Sequence, residues 1–183
     1  MPEPPPLTPE RFEILVVREL RKAGLDVSPL RVHRRATLSE PGGAYLLELK
    51  GELTRAGWRR RVLIICRRQN TPIARADVEA VAAHVREAGV EAGVLFGTSL
   101  FDPDALEAAD RKPLALLRVV DGRTAHDTTP WGSPGHAPVW LPAYCATTVY
   151  SDLVGTAPRY EVLEARHGEL LQHQLEGGAL ETE

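Results

Sequence analysis

The part of the sequence that most restricts the fold lies between residues 60 and 122, where patterns typical of strands alternate with patterns typical of helices. Val62–Ile65 is a dense aliphatic run, typical of a strand that is buried on both faces. A helix pattern over 77–88, a strand over 90–96, a helix over 102–110 and a strand over 114–120 follow it. Strands separated by single helices predict parallel pairing through right-handed crossovers.

The sequence before residue 60 adds a helix and a hairpin to this pattern. Thr8-Pro9-Glu10 supplies a hydroxyl N-cap, a proline and an acid in the first turn, and it predicts a helix over 9–23. Strand patterns follow over 31–38, 44–53 and 60–67. Arg55-Ala56-Gly57 predicts a hairpin turn between the last two strands. We therefore expect an α/β sandwich with a mixed sheet flanked by helices.

Composition divides the chain into three segments. Residues 1–8 are rich in proline and are expected to form a disordered lead-in, whereas residues 9–122 hold the α/β domain. Residues 123–183 are expected to form an irregular C-terminal extension, with short strands within 139–150 and a terminal helix within 159–174. With two cysteines and no long apolar run, we expect a cytoplasmic protein without a disulfide framework or a membrane span.

Charge is distributed unevenly in this sequence. The formal net charge is -3, yet residues 54–76 contain seven arginines and no acid. Clustered cations release counterions from nucleic acid, so this segment is a candidate surface for the DNA backbone. The candidate DNA-binding residues are Arg59, Arg60, Arg61 and Arg68. The alternative interpretation is a solvated basic edge without a partner.

Several short motifs occur in an order and spacing that resemble a known family. They are F-E-x-L-V at Phe12–Val16, V-L-I-I-C-R-R at Val62–Arg68, G-V-L-F-G-T-S-L-F at Gly93–Phe101 and L-A-L-L-R-V-V-D-G at Leu114–Gly122. Residues 11–122 thereby resemble the Mrr-like restriction endonuclease family of the PD-(D/E)xK nuclease superfamily. The resemblance implies the restriction-endonuclease-like α/β sandwich, DNA as the partner and Mg²⁺-dependent cleavage of DNA.

The resemblance also implies the position of a catalytic centre. In this family an Asp on one strand and a Glu or Gln on the next hold Mg²⁺, and a Lys two residues later orients the attacking water. These positions fall on Glu48, Ile65 and Arg67. Ile65 has no donor atom for a metal, and the Arg67 guanidinium is suited to phosphate rather than to a single water. Glu13 and Gln69 are candidates for auxiliary catalytic residues.

Three functions remain open from the sequence. The first, which we favour, is a DNA-binding protein whose nuclease centre is degraded and is inactive or weakly active, with Mg²⁺ as cofactor only if it is active. The second is an active Mg²⁺-dependent endonuclease that uses Glu48 as metal ligand together with Arg67, so its status as an enzyme stays open. The third is a non-catalytic interaction module, with a homodimer or partner interface around Trp131 and Trp140 and its arginines paired with the acidic C-terminal segment.

The strand predicted over 44–53 contains an alternative candidate for the catalytic motif. Glu48-Leu49-Lys50 matches the pattern E-x-K, and residues two apart on a strand share a face. An active site built on it would need a second acid, for which Glu40 is the candidate. Because such short motifs arise by chance, an exposed face with ion pairs is the favoured interpretation.

Overall fold

The computed structural model describes residues 5–128, 141–151 and 157–178. The strands are β1 Asp26–Val27, β2 Arg31–Thr37, β3 Tyr45–Arg55, β4 Trp58–Arg68, β5 Ala92–Gly97, β6 Leu114–Asp121, β7 Tyr144–Ser151 and β8 Pro158–Val162. The α-helices are α1 Pro9–Lys22, α2 Arg75–Glu87, α3 Pro103–Ala109, α4 Gly122–Thr128 and α5 Gly168–Leu175, and a 3₁₀ turn, Ala165–His167, precedes α5.

All eight strands belong to one mixed sheet, in the order β1-β3-β4-β5-β6-β7-β8 with β2 also paired to β3. The β4–β5 and β5–β6 pairs are parallel, as the alternation of strands and helices predicted. The β3–β4, β6–β7 and β7–β8 pairs are antiparallel. The predicted α/β sandwich with a mixed sheet is therefore confirmed.

The hairpin between β3 and β4 fixes the register of the two longest strands. Arg55 pairs with Trp58, so the turn consists of Ala56 and Gly57 alone. Both turn residues have positive φ, 45° and 85°. Two-residue turns of this kind match the right-handed twist of the flanking strands, and glycine adopts such a φ without steric cost.

Alternate side chains of the sheet enter two apolar cores on its opposite faces. On one face, Leu47, Ile64 and Cys66 pack with apolar residues of α1 and α5. On the other face, Leu63 and Ile65 pack with apolar residues of α2 and α3. Each side chain of β3 and β4 is thereby assigned to either the α1 face or the α2 face.

Residues 5–8, expected to belong to a disordered lead-in, contact the sheet in the structure. Leu7 is buried, and its carbonyl oxygen accepts a hydrogen bond from the hydroxyl of Tyr45 at 2.6 Å. The Nε of Arg68 donates to the carbonyl oxygen of Pro5 at 2.7 Å. These contacts tie the segment before α1 to the ends of β3 and β4.

The segment after residue 122 is more regular than the sequence predicted. β7 and β8 extend the same sheet, and α4 forms at the start of the segment that was expected to be irregular. β8 occupies part of the region predicted as a terminal helix, and α5 begins only at Gly168. Pro158 at the start of β8 obscured the strand in the sequence, because proline usually argues against a strand. It is tolerated here because it is the first residue of the strand. Trp131 and Trp140 lie outside the described residues.

None of the described helices has the length and apolar character needed to cross a membrane.

Substitutions on the buried side of α1 should lower the free energy of unfolding far more than substitutions on its exposed side. Phe12 is fully buried, whereas 69% of Ile14 is exposed. We expect Phe12→Ala to lower the free energy of unfolding by about 3–5 kcal/mol, the usual cost of emptying a buried aromatic site. Ile14→Ala on the same helix is the control and should cost under about 0.5 kcal/mol. Urea unfolding measures both, and equal losses would contradict the assigned core.

Candidate active site

Glu48 is a buried acid in the middle of β3. Only 1% of its surface is exposed, and it lies on the α2 face of the sheet. Its cross-strand neighbours are Ile65 on β4 and Arg34 on β2. The position that the resemblance assigned to a second metal ligand therefore does face Glu48, and an aliphatic side chain occupies it.

A histidine from α2 binds the carboxylate of Glu48. His84 Nδ1 lies within a short hydrogen bond of Glu48 Oε1. The other ring nitrogen, Nε2, lies 3.3 Å from Nη1 of Arg34. Because a guanidinium can only donate, Nε2 accepts, and Nδ1 carries the proton that it donates to Glu48. Arg34, His84 and Glu48 thus form a hydrogen-bonded chain from the exposed strand β2 to the buried carboxylate.

Arg67 lies on the same face, near the end of β4, and is held by two other side chains. Its Nε donates to Gln69 Oε1 at 2.8 Å, and its Nη2 lies 3.1 Å from Asp77 Oδ1 at the start of α2. Gln69 is itself buried, and its Nε2 donates to the carbonyl oxygen of Thr71 at 2.9 Å. Gln69 therefore orients Arg67.

Glu40 binds the segment that follows β4. Its carboxylate accepts hydrogen bonds from the N–H groups of Asn70 and Thr71 and, at 2.7 Å, from the Thr71 hydroxyl. Burial acts to raise the pKa of Glu40, but these hydrogen bonds, with a smaller contribution from the charge of Arg67, bring the pKa below its usual range. Glu40 therefore has a structural role at this turn.

Glu13 is not part of this group, because α1 covers the opposite face of the sheet. It lies on the side of Cys66, whose side chain is fully buried. Burial, and to a smaller extent the charge of Glu13, raises the pKa of the Cys66 thiol well above its usual value. A thiol in this environment stays protonated and does not act as a nucleophile.

The register of β3 also shows which neighbours the residues of the E-x-K motif have. Lys50 shares the face of Glu48 and lies opposite Arg31 and Leu63. Glu52, two residues further, forms an ion pair with Arg59 at 3.3 Å. In the described ranges, no group of three or more His, Cys, Asp or Glu side chains is arranged to hold a metal ion.

Five of the seven arginines of the basic segment, residues 54–76, lie at the two ends of β4. Arg59 and Arg67 are separated by eight residues, or about 26 Å at about 3.3 Å per residue. At the hairpin end, three arginines have acidic partners: Arg59 with Glu52 at 3.3 Å, Arg60 with Glu176 at 3.9 Å and Arg61 with Glu91 at 3.6 Å. At the other end, Arg68 donates to the carbonyl oxygens of Pro5, Gly42 and Gly43.

A family model described as restriction endonuclease, that of the Mrr catalytic domain, matches residues 6–124. The chain belongs to the Mrr-type restriction endonuclease family. No curated protein and no solved structure matches it. The matched residues include α1, the β3–β4 hairpin and the crossovers through α2 and α3, so the resemblance to this family seen in the sequence is confirmed.

Enzymes of this superfamily typically depend on Mg²⁺, and the side chains around Glu48 do not fit that ion. Mg²⁺ requires six oxygen ligands in near-octahedral geometry, usually with one or two carboxylates and several waters. Here a single carboxylate faces Ile65, which has no donor atom, and its Oε1 is bound by His84. Arg34 adds a positive charge on the same side. This Mrr-type chain thus has a closed and cationic environment at the position that the resemblance assigned to the metal.

Sequence reasoning missed His84. The signal was present, because the helical spacing that directs Val81, Val85 and Ala88 inward also places His84 on a side of α2 close to the sheet. A buried acid such as Glu48 requires a hydrogen-bond donor, and His84 is the donor that α2 can supply. Without knowledge of the crossing of α2 over β3, nothing in the sequence connected the two residues.

Removing His84 should destabilise the protein through Glu48. We expect His84→Ala to lower the free energy of unfolding by about 1–3 kcal/mol, because a buried carboxylate loses its donor. Adding Glu48→Leu to that variant should recover most of the loss, since replacing both partners by apolar groups is nearly neutral. Urea unfolding of both variants tests this. If Glu48→Leu lowered the free energy of unfolding further, the hydrogen bond between His84 and Glu48 would not be the source of the destabilisation.

Proposed function

We propose that this Mrr-type protein binds DNA and that its nuclease centre does not hold a catalytic metal. The observation that carries the second part is the closure of Glu48 by His84, with Ile65 at the position of the second oxygen ligand. A buried carboxylate that already accepts a hydrogen bond gains little from a cation that needs five further oxygens. The activity of the family is thereby lost, while its scaffold is kept.

Exposed cations support the first part of the proposal. The edge strand β2 exposes Arg31, Arg34 and Arg35, and the hairpin of β3 and β4 exposes Arg59 and Arg61. DNA attracts such side chains because each phosphate contact releases condensed counterions. Contacts of this kind give affinity without sequence specificity.

The ion pairs of the hairpin do not prevent DNA binding. The carboxylates of Glu52, Glu91 and Glu176 are partly or largely exposed, and exposed ion pairs contribute only about 0–1 kcal/mol each. A phosphate can therefore replace a carboxylate at Arg59, Arg60 or Arg61. Arg68 is the exception, because three backbone carbonyls bind its guanidinium and it is needed to hold Pro5 and the Gly42–Gly43 turn.

These same ion pairs also favour a second candidate function. A chain whose basic hairpin is neutralised by its own acids can serve as an interaction module that binds neither DNA nor a metal. Arg60 and Glu176 join the hairpin to the end of α5 in this way, at 3.9 Å. DNA binding separates the two candidates.

DNA binding should depend on the hairpin arginines and on salt. We expect an electrophoretic shift of duplex DNA at low salt that weakens as salt rises. In the triple variant Arg59→Gln, Arg60→Gln, Arg61→Gln, the slope of log affinity against log salt should fall by about 0.9 for each phosphate that the variant can no longer bind. The control exchanges three exposed arginines elsewhere, Arg11, Arg21 and Arg123. Absence of a shift at low salt would favour the interaction module. An unchanged slope in the triple variant would mean that DNA binds to a surface other than the hairpin.

Cleavage should be absent whichever divalent cation is supplied. Plasmid incubated with the protein and Mg²⁺ or Mn²⁺ should remain supercoiled, and Glu48→Ala should be indistinguishable from the unchanged protein. A calorimetric titration with Mg²⁺ should give no saturable heat that Glu48→Ala abolishes. Metal-dependent nicking that disappears in Glu48→Ala would instead establish an active endonuclease built on Glu48 and Arg67.

A further inference from the structure

A pocket lies outside the carboxyl ends of the three parallel strands β4, β5 and β6. Its volume is about 550 Å³, within the range of small-molecule sites. It is lined by Asn70 after β4, by Ser99 after β5, and by Arg118 and Asp121 of β6. In open α/β sheets, ligands bind in the crevice at this end of the strands. Neither part of the Glu48–His84 pair is among the described residues that line it.

Arg118 is a half-buried cation at this pocket. Its guanidinium carbon lies 5.2 Å from the centre of the Tyr160 ring, and the Tyr160 hydroxyl accepts a hydrogen bond from the N–H of Phe101 at 2.9 Å. Across the described ranges, Arg118 forms no ion pair, and its buried Nε has no hydrogen-bond partner. Burial lowers the pKa of Arg118, and the nearby Tyr160 and Asp121 offset this effect only in part.

Ser99 is a second polar group that lines the pocket. The residue is buried, and its Oγ makes no hydrogen bond within the described part of the chain. The neighbouring hydroxyl of Thr98, by contrast, donates to the carbonyl oxygen of Gln69 and accepts from its N–H, both at 2.9 Å. Buried polar groups are ordinarily hydrogen-bonded, so orphaned donors at a pocket need an explanation.

The charge of the pocket favours an anion. Arg68 and Arg118 line it, and Asp121 is the one acid among its described lining residues. The carboxylate of Asp121 accepts hydrogen bonds from the N–H and the hydroxyl of Thr124, at 2.9 and 2.7 Å. Those bonds outweigh the effect of burial and lower the pKa of Asp121, so its carboxylate is charged and is held by Thr124. Two arginines against one carboxylate leave the described lining with a net positive charge.

We propose that this pocket binds the phosphate group of a nucleotide-sized ligand, with Arg118 as its charged partner and Ser99 as a hydroxyl donor. Guanidinium groups bind phosphate oxygens through paired hydrogen bonds, which would also satisfy the orphaned Nε of Arg118. Pro5, Pro6 and Tyr144 line the same pocket and offer an apolar surface to a base. The ligand is either a free nucleotide or the terminal nucleotide of a DNA strand, because both present the same phosphate chemistry.

Calorimetry on the full chain tests the proposal with AMP, inorganic phosphate and adenosine as probes. We expect AMP to bind, and adenosine, which lacks the phosphate, to bind at least about tenfold more weakly. Arg118→Met should weaken AMP binding by about tenfold or more, since hydrogen bonds to charged groups are the strong ones. Ser99→Ala should weaken it less. Arg21→Met, at an exposed arginine of α1, is the matched control and should change nothing.

A short duplex with and without a 5′-phosphate distinguishes the two sources of the ligand. A preference for the phosphorylated duplex that Arg118→Met abolishes identifies the DNA end, whereas binding of AMP without that preference identifies a free nucleotide. Circular dichroism checks that Arg118→Met is folded, and Arg118→Lys serves as a second variant that keeps the charge but loses the paired geometry.

The proposal would be overturned if neither AMP nor phosphate bound at millimolar concentrations, or if folded Arg118→Met bound AMP as well as the unchanged protein. Its failure is distinct from that of the DNA-binding proposal, because AMP binding should persist in the variant that lacks Arg59, Arg60 and Arg61.

Discussion

The register between β3 and β4 is the constraint on which the rest of the molecule depends. A slip of one residue would transfer every side chain of one strand to the other face, so the two-residue turn at Ala56 and Gly57 determines what each core contains. It places Ile65 opposite Glu48 and Arg67 opposite Leu46. The α2 face therefore holds an apolar core together with Glu48 and Arg67, which occupy two of the positions that the resemblance assigned to a catalytic centre.

Apolar side chains dominate the α2 face around these positions. Ile65 continues the apolar surface that α2 covers, and Glu48 remains as a single acid within it. A buried carboxylate without a cation needs donors from the protein itself, and Arg34 and His84 supply them as a chain. Arg67, for its part, is bound by Gln69 and Asp77. Glu48 and Arg67, at positions that the resemblance assigned to catalysis, are thus both hydrogen-bonded within the protein.

The sequence predicted the central elements well because their signals are local. The N-cap at Thr8, the turn at Ala56–Gly57 and the aliphatic run Val62–Ile65 all mark structure within a few residues of themselves. The alignment of Glu48 with Ile65 also followed from counting across the hairpin. The sequence did not predict β8, whose polar residues pair only along an edge, or the contact of His84 with Glu48, which depends on how α2 crosses the sheet. Such features depend on tertiary packing, and the sequence pattern of one segment carries no information about how segments pack together.

The strand β2 has a consequence for how the protein behaves in concentrated solution. In the described structure it hydrogen-bonds to β3 alone, so one row of its backbone groups is unpaired, which in other proteins invites intermolecular strand addition. Arg31 and Arg34 are exposed on this strand, so two molecules that paired along it would bring their guanidinium groups close together. Such repulsion opposes pairing at low ionic strength, and high ionic strength screens it.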